Sequence, residues 1–323
     1  MRRAAALLAA LLTLAAPARA VPDLSDDALL RDHLWKTVTS LPKDKRPKMG
    51  IVLSAGSLRA VTHVGVLYAL ENAGFPNDVV AGTSMGSVVG SVYAAGRPMK
   101  RLWELASNLK PGSGSNLGAL SLLEMILTDK LLSSAETERF VRQEIGGKRF
   151  EDMPKPFACV AMDLYTGEKI IFREGDVASA VRASMNLPGV FAPVEYRHRY
   201  LVDGGVVDYI PVDAARLLHA DWVLASVSET DYTRSKPKNV LESLEQVIDI
   251  RGALLSREQR KQADFLNEPP VGDIGLAETS RIQEAMSKGV IAASAAIPRA
   301  QESYALFALK TLLPGWLPEN GKR

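Results

Sequence analysis

The feature that most constrains this chain is the pentapeptide Gly82-Thr83-Ser84-Met85-Gly86. It sits between an apolar run, Val79 to Ala81, and a helical pattern from Ser87 to Ala95 that Gly96 closes. A serine on such a strand-to-helix turn has its hydroxyl exposed, and the flanking glycines, Gly82 and Gly86, permit the tight backbone. The helix start also offers unpaired N–H groups and the positive end of a dipole to a developing oxyanion.

The same alternation continues along the chain. Gly50 to Ser54 reads as a strand, followed by a small-residue turn and a helix from about Val61 to Ala73. Further strands fit Phe157 to Met162, Lys169 to Phe172, Tyr200 to Val202 and Trp222 to Val227. Helices fit Ser134 to Ile145, Val177 to Ser184 and Val212 to His219. This order predicts an α/β domain with a largely parallel sheet. Gly112 to Thr128 interrupts the rhythm with a flexible turn and an apolar run, which fits either a core helix or a mobile apolar flap. From Asp231 to about Pro298 the chain reads as helical and polar. The last stretch, Arg299 to Arg323, carries Tyr304, Phe307, Leu312 and Trp316 and either packs on the domain or lies at a membrane surface.

The start of the chain reads as a processing signal. Arg2 and Arg3 precede an apolar run of about 13 residues, Ala4 to Ala16, and Ala18-Arg19-Ala20 supplies small residues for cleavage after Ala20. The run is too short for a transmembrane helix, which needs roughly 20 residues. Export to the periplasm or beyond is therefore expected. The predicted organisation is residues 1–20 as signal, 21–48 as lead-in, 49–297 as catalytic domain and 298–323 as apolar tail. The lead-in holds one short helix around Asp26 to Thr39 and a solvated basic linker from Lys43 to Lys48. Without residues 1–20, which hold three Arg and no acid, Lys+Arg falls from 39 to 36 against 37 Asp+Glu. A net charge of about −1 gives no reason to expect a nucleic-acid partner.

A serine hydroxyl is a poor nucleophile until a base takes its proton. Four histidines are available. His33 lies in the lead-in, His63 precedes the serine, His198 sits in a charged turn and His219 ends a helix, so a Ser-His-Asp triad is weakly supported. An acidic base is the alternative. Tyr200-Leu201-Val202-Asp203-Gly204-Gly205 puts a carboxylate at the end of an apolar strand, where desolvation would raise its pKa and improve it as a base. A third element, Leu53-Ser54-Ala55-Gly56-Ser57-Leu58-Arg59-Ala60, is a small-residue loop feeding a helix. Its successive N–H groups suit an anion or oxyanion, and Arg59 adds a positive charge. It is neither a P-loop nor a dinucleotide fingerprint. Cys159, the sole cysteine, lies in an apolar strand and cannot build a disulfide or a cysteine-based metal site.

Together these elements resemble the patatin-like phospholipases, which carry a glycine-rich loop with a basic residue, a G-x-S-x-G nucleophile and a D-G-G or D-G-A acid in that order. The resemblance extends to Arg59, His63, Gly65 and Leu67, to Ala161 through Glu168, to Pro188-Gly189-Val190-Phe191 and to Asp203 through Pro211. It covers roughly Met49 to Ile297. The resemblance implies a three-layer α/β/α sandwich and hydrolysis of lipid acyl esters by a Ser84–Asp203 dyad, with no catalytic histidine, metal or cofactor. Gly56, Ser57 and Arg59 would form the oxyanion hole, Gly204 and Gly205 would complete the acid motif, and Asp163 would be structural. Lipid or phospholipid is the implied partner, met in transient contact with a membrane surface.

One departure bears on activity. The family loop usually reads Gly-Gly-Gly-x-Arg/Lys-Gly, whereas three of those glycines are here Ala55, Ser57 and Ala60. Any of these positions that needs a positive φ is strained. A tolerated variant keeps the hydrolase active. A degenerate loop leaves a weak or silent lipid-binding protein, and a histidine-dependent α/β-hydrolase esterase is the other alternative.

Overall fold

The computed structural model describes residues 25–109, 134–234, 237, 240–275 and 278–313. Its sheet is built around five parallel strands in the order β3 (Phe157–Asp163), β2 (Val79–Thr83), β1 (Met49–Leu53), β7 (Trp222–Ser226) and β8 (Phe265–Asn267). Three antiparallel strands extend one end. β4 (Lys169–Phe172) and β6 (Arg199–Asp203) both pair with β3, and β5 (Val194–Tyr196) pairs with β6. All five residues of β1, β2 and β7 are buried. Strands covered on both faces read as continuous apolar runs, which is why they stand out in the sequence.

The two faces are covered unequally. Met49, Ile51 and Leu53 of β1 point into the larger core, shared with α1 (Asp26–Thr39), α2 (Thr62–Asn72), α3 (Met85–Ala94), α4 (Met99–Ser107), α5 (Ala135–Ile145) and α6 (Val177–Ser184). Val52 points the other way, joining Val79, Ala81 and Ala225 under α7 (Val212–Leu217) and Leu255 of α8 (Val240–Gln259). Alternation along one strand thus serves two helical layers, giving the three-layer α/β/α arrangement. Local signals fix several ends. Asp176 accepts from the Ser179 N–H to cap α6, and Gly146 ends α5 in the left-handed region at φ 69°.

The C-terminal helix α9 (Ile282–Leu312) belongs to the larger face and packs closely on α2. A Cβ on Gly65 of α2 would lie 2.0 Å from the Met286 carbonyl oxygen, and one on Gly289 of α9 would lie 2.2 Å from that of Thr62. Reciprocal glycines therefore let the two backbones touch.

Of the two placements expected for the tail, its described part takes packing on the domain: α9 runs past Ile297 and Pro298 to Leu312 and buries Tyr304, Ala305 and Ala308. The missing proline N–H removes one helical bond, and the burial beyond it carries the helix on. The basic linker is less solvated than expected. Arg46 is buried against Asp78, donating at 2.6 and 2.9 Å, while Tyr304 donates its hydroxyl proton to the Pro47 carbonyl. An ion pair that also anchors the start of β1 through the Met49 N–H explains the burial. The signal segment, the Gly112 to Thr128 stretch and Trp316 lie outside the described residues.

Candidate active site

Strand register brings the serine and the aspartate together. β2 and β6 share one edge of β3, because β4 occupies the other edge alongside both. β2 ends with Thr83 opposite Val160, and β6, running in the opposite sense, ends with Asp203 opposite Ala161. Two strands thus meet head to head on consecutive residues of a third. Ser84 follows directly, and its Oγ donates to Asp203 Oδ2 at 2.6 Å.

The turn that holds Ser84 is sterically specified. Its φ of 55° and ψ of −129° lie outside the regions favoured by non-glycine residues. A Cβ on Gly82 would sit 2.4 Å from the Gly86 carbonyl oxygen, and one on Gly86 would sit 2.4 Å from that of Leu53. Only glycine at both places lets the elbow close and seat against the end of β1. The Ser84 N–H donates to Ser184 Oγ at 3.0 Å, and Ser87 Oγ donates to the Ser84 carbonyl at 2.6 Å. The strained residue is thereby held at both ends of its peptide.

Asp203 is 5% exposed, and burial pushes its carboxyl up from 3.8 to about 6, against the lowering effect of hydrogen bonds from Ser84 and the Gly205 N–H. The Gly205 N–H reaches Oδ1 at 2.7 Å, fixing the carboxylate so that Oδ2 faces the serine. A Cβ on Gly204 would lie 2.3 Å from the Val160 carbonyl oxygen, so the chain can turn across β3 only with glycine there. The carboxyl is poised near neutrality and its orientation is set by backbone, an arrangement suited to general-base work.

The small-residue loop forms the opposite wall. Gly56 has φ 151° and Ser57 has φ 47°, whereas Ala55 and Ala60 have no positive φ. Of the three replaced glycines, only the position of Ser57 is therefore strained. A Cβ on Gly56 would lie 2.3 Å from Ser228 Oγ, so this position requires glycine for space as well as for backbone. Among the described residues, neither the Gly56 nor the Ser57 N–H donates to a protein acceptor. Gly56, Ser57, Ser84, Asp203 and Gly205 line a small cleft of about 30 Å³, enough for a water or a carbonyl oxygen.

Arg59 is placed differently from its expected part in an oxyanion hole. Its guanidinium donates to Asp249 Oδ1 at 2.9 Å and to the Ile274 carbonyl at 3.3 Å, and it does not line the cleft. Arg59 ties the turn after the loop to α8, because its side chain is only 2% exposed and must be paired there. No histidine lines the cleft either. His33 and His219 are exposed, and His198 lies in the turn between β5 and β6. His63 is buried, with its pKa pushed down to about 4 by burial. Neutral, it donates from Nε2 to the Ser54 carbonyl at 3.1 Å and accepts at Nδ1 from Ser226 Oγ at 2.8 Å, bracing α2 against β1 and β7. Cys159 is buried within β3, and burial pushes its thiol up. Asp163 accepts from the Tyr165 N–H and from Arg199, shaping the turn after β3.

Other neighbours of the serine had no signal of their own in the sequence. Ser184, which receives the Ser84 N–H, and Ser228, which abuts Gly56, are ordinary serines until the fold brings them in. Ala55, Leu187, Tyr209, Ile248 and Asp249 complete the cleft.

Similarity to known proteins follows the same elements. An uncharacterised NTE family protein of Mycobacterium tuberculosis is 34% identical over 199 residues, covering 60% of this chain and 53% of the relative. The human patatin-like phospholipase domain-containing protein 6 is 34% identical over 189 residues, 57% of this chain and 14% of that protein. The chain thus spans about half the length of the mycobacterial relative. Among solved structures, VipD of Legionella pneumophila gives a TM-score of 0.48 at 13% identity, covering 80% of this chain and 67% of its own. Human GIVD cytosolic phospholipase A2 with a fluorophosphonate inhibitor gives 0.43 at 14% identity, covering 86% and 62%. The family profile described as patatin-like phospholipase matches residues 51–216, a span that takes in the loop, the serine elbow and the aspartate, and the chain belongs to that family.

Proposed function

We propose that this protein is a serine lipid acyl hydrolase, a phospholipase A or lysophospholipase-like esterase, working through a Ser84–Asp203 dyad. The observation that carries the reading is the 2.6 Å hydrogen bond from the elbow serine to a buried carboxylate, with no histidine in the cleft. Ser84 Oγ attacks the ester carbonyl carbon while its proton passes to Asp203 Oδ2. The carbonyl oxygen becomes an oxyanion facing the Gly56 and Ser57 N–H groups. Collapse breaks the ester bond, and the departing alcohol takes the proton from Asp203, leaving an acyl-enzyme. Water then attacks the acyl carbon and gives a proton to Asp203; the second collapse breaks the bond to Ser84 Oγ, which takes that proton back from Asp203, and the fatty acid is released with serine and carboxylate restored. Each oxyanion donor contributes on the order of 10²–10³ in rate.

The dyad is favoured over the silent lipid-binding alternative by the loop, which keeps glycine at Gly56, the position with the greatest steric need. A fluorophosphonate probe should label the wild-type protein and fail to label Ser84→Ala. Absence of labelling in folded wild-type protein removes the hydrolase reading.

Contact with a membrane surface falls to α8. Ile248 and Asp249 of this helix line the cleft, while Val247, Ile250 and Leu254 stand exposed on its outer face beside Arg251 and Arg257. An apolar ridge flanked by arginines suits an anionic lipid interface. No described helix is long and apolar enough to cross a membrane. Export is part of the same reading, and a mature N-terminus at Val21, read by mass spectrometry of the periplasmic fraction, would support it.

A further inference from the structure

A second cavity begins one residue beyond the nucleophile. It measures about 260 Å³ and is distinct from the small cleft that Ser84 and Asp203 line. Met85, Val88, Val89 and Val92 of α3 line one side, with Leu102 of α4 and Phe140 of α5 opposite. Met185 borders it too, directly after the Ser184 whose Oγ holds the Ser84 N–H. Among the described residues no charged side chain lines it, and the walls they form are apolar almost throughout. Protein interiors are ordinarily close-packed, and an apolar space of this size takes apolar ligands in preference to water.

We propose that this cavity seats the acyl chain of the substrate and that α3 measures its length. The inference rests on the hydrolase reading above. The volume lies just under the roughly 300–1,000 Å³ range of small-molecule sites, so it fits one acyl chain rather than a whole diacyl lipid. Met85, Val88, Val89 and Val92 fall at helical spacing on a single face. Along the helix axis, Val88 and Val89 lie roughly 5 Å and Val92 roughly 10 Å beyond Met85, at about 1.5 Å per residue. An acyl chain whose carbonyl carbon meets Ser84 Oγ therefore passes Met85 first, then Val88 and Val89, and reaches Val92 last.

The ordering makes the test graded. p-Nitrophenyl esters from acetate to palmitate are compared for the wild type, Val88→Trp and Val92→Trp. The palmitate-to-acetate ratio of kcat/KM should fall at least about tenfold in Val92→Trp, and the chain-length optimum should move to shorter acyl groups still in Val88→Trp. Phe140→Ala, which removes bulk and so tests the seat without crowding the core, should move the optimum to longer chains. Unchanged profiles in these variants overturn the proposal. A readout without turnover separates it from the hydrolase reading. In the Ser84→Ala background, cis-parinaric acid should fluoresce on binding and lose that signal when Val88→Trp is added. Equal binding with and without Val88→Trp overturns the seat, whereas failure of fluorophosphonate labelling with this binding pattern intact overturns hydrolysis alone.

Discussion

Thr83 and Asp203 take neighbouring rungs on one edge of β3, opposite Val160 and Ala161, although they arrive on strands of opposite direction. This register sets the 2.6 Å contact between Ser84 and Asp203 without any side chain between them. It also buries a carboxylate whose charge the protein solvates poorly. Asp203→Asn should lower kcat/KM by roughly 10²–10⁴, the range for loss of a general base. The same substitution should stabilise the fold at neutral pH, because holding the carboxylate ionised costs roughly 3 kcal/mol when its pKa stands near 6 instead of 3.8. Denaturant titration beside the kinetics checks both signs together.

The pH dependence follows from the same burial. Asp203 accepts the serine proton only when ionised, so kcat/KM should fall as pH drops through about 6 and level off above it. Stability runs the other way. A raised carboxyl pKa means the folded state binds its proton more tightly, so the penalty is absent below 3.8 and complete above about 6. The stability gain of Asp203→Asn should shrink accordingly across that window. A flat activity profile between pH 5 and 8 would count against Asp203 as the base.

Restoring glycine to the loop should have opposite effects at different positions. Ser57→Gly relieves a left-handed backbone and should stabilise by a few tenths to about 1 kcal/mol, with activity kept or raised. Ala60→Gly removes a fully buried methyl group at a position without positive φ, and should destabilise by about 1–2 kcal/mol. Gly56→Ala, whose Cβ collides with Ser228, should cost roughly 10²–10³ in kcat. Thermal melts and initial rates on the three variants separate these outcomes.

The Arg59–Asp249 pair should respond asymmetrically. Asp249→Ala strands a guanidinium that is only 2% exposed and already leaves its Nε unpartnered, and should cost about 3–5 kcal/mol. Arg59→Met replaces the buried charge with apolar bulk and leaves a carboxylate that lines the cleft, where its raised pKa allows it to take a proton. Its cost should be the smaller one. Equal losses in chemical denaturation would contradict this account.

The outer ridge of α8 predicts interfacial behaviour. Ile250→Asp and Leu254→Asp should each weaken binding to phosphatidylglycerol vesicles at least about tenfold, since burying such a side chain is worth roughly 1.5–3 kcal/mol. Their hydrolysis of vesicle lipid should fall more than that of a monomeric ester. A co-sedimentation assay paired with both substrates tests the difference.

Much of this architecture was legible in the residues. Continuous apolar runs mark the strands covered on both faces, and Lys169–Phe172 and Val177–Ser184 fall at the bounds read from the sequence. The elbow glycines were legible because the backbone contact they permit admits no substitute. What could not be read was lateral placement. Nothing near Arg59 in sequence shows that its partner lies 190 residues away on α8, and nothing marks Ser184 as the acceptor for the Ser84 N–H. Arg46 likewise reads as solvated until Asp78 and Tyr304 close over it. Pairings between distant segments depend on how layers stack, and a single sequence carries no periodic trace of them.

The reciprocal contact of Gly65 and Gly289 gives the far end of the chain a hold on chemistry that its own residues never touch. α2 begins where the turn after the Gly56–Ser57 loop ends, so the helix clamped by α9 is the one that aims the loop's N–H groups. α9 lies wholly beyond residue 216, outside the stretch by which the family is recognised. A bulky side chain at either glycine should therefore disturb the loop as well as the packing of the two helices. The contact at Gly65 and Gly289 thus ties the family-matched stretch to a helix that lies outside it.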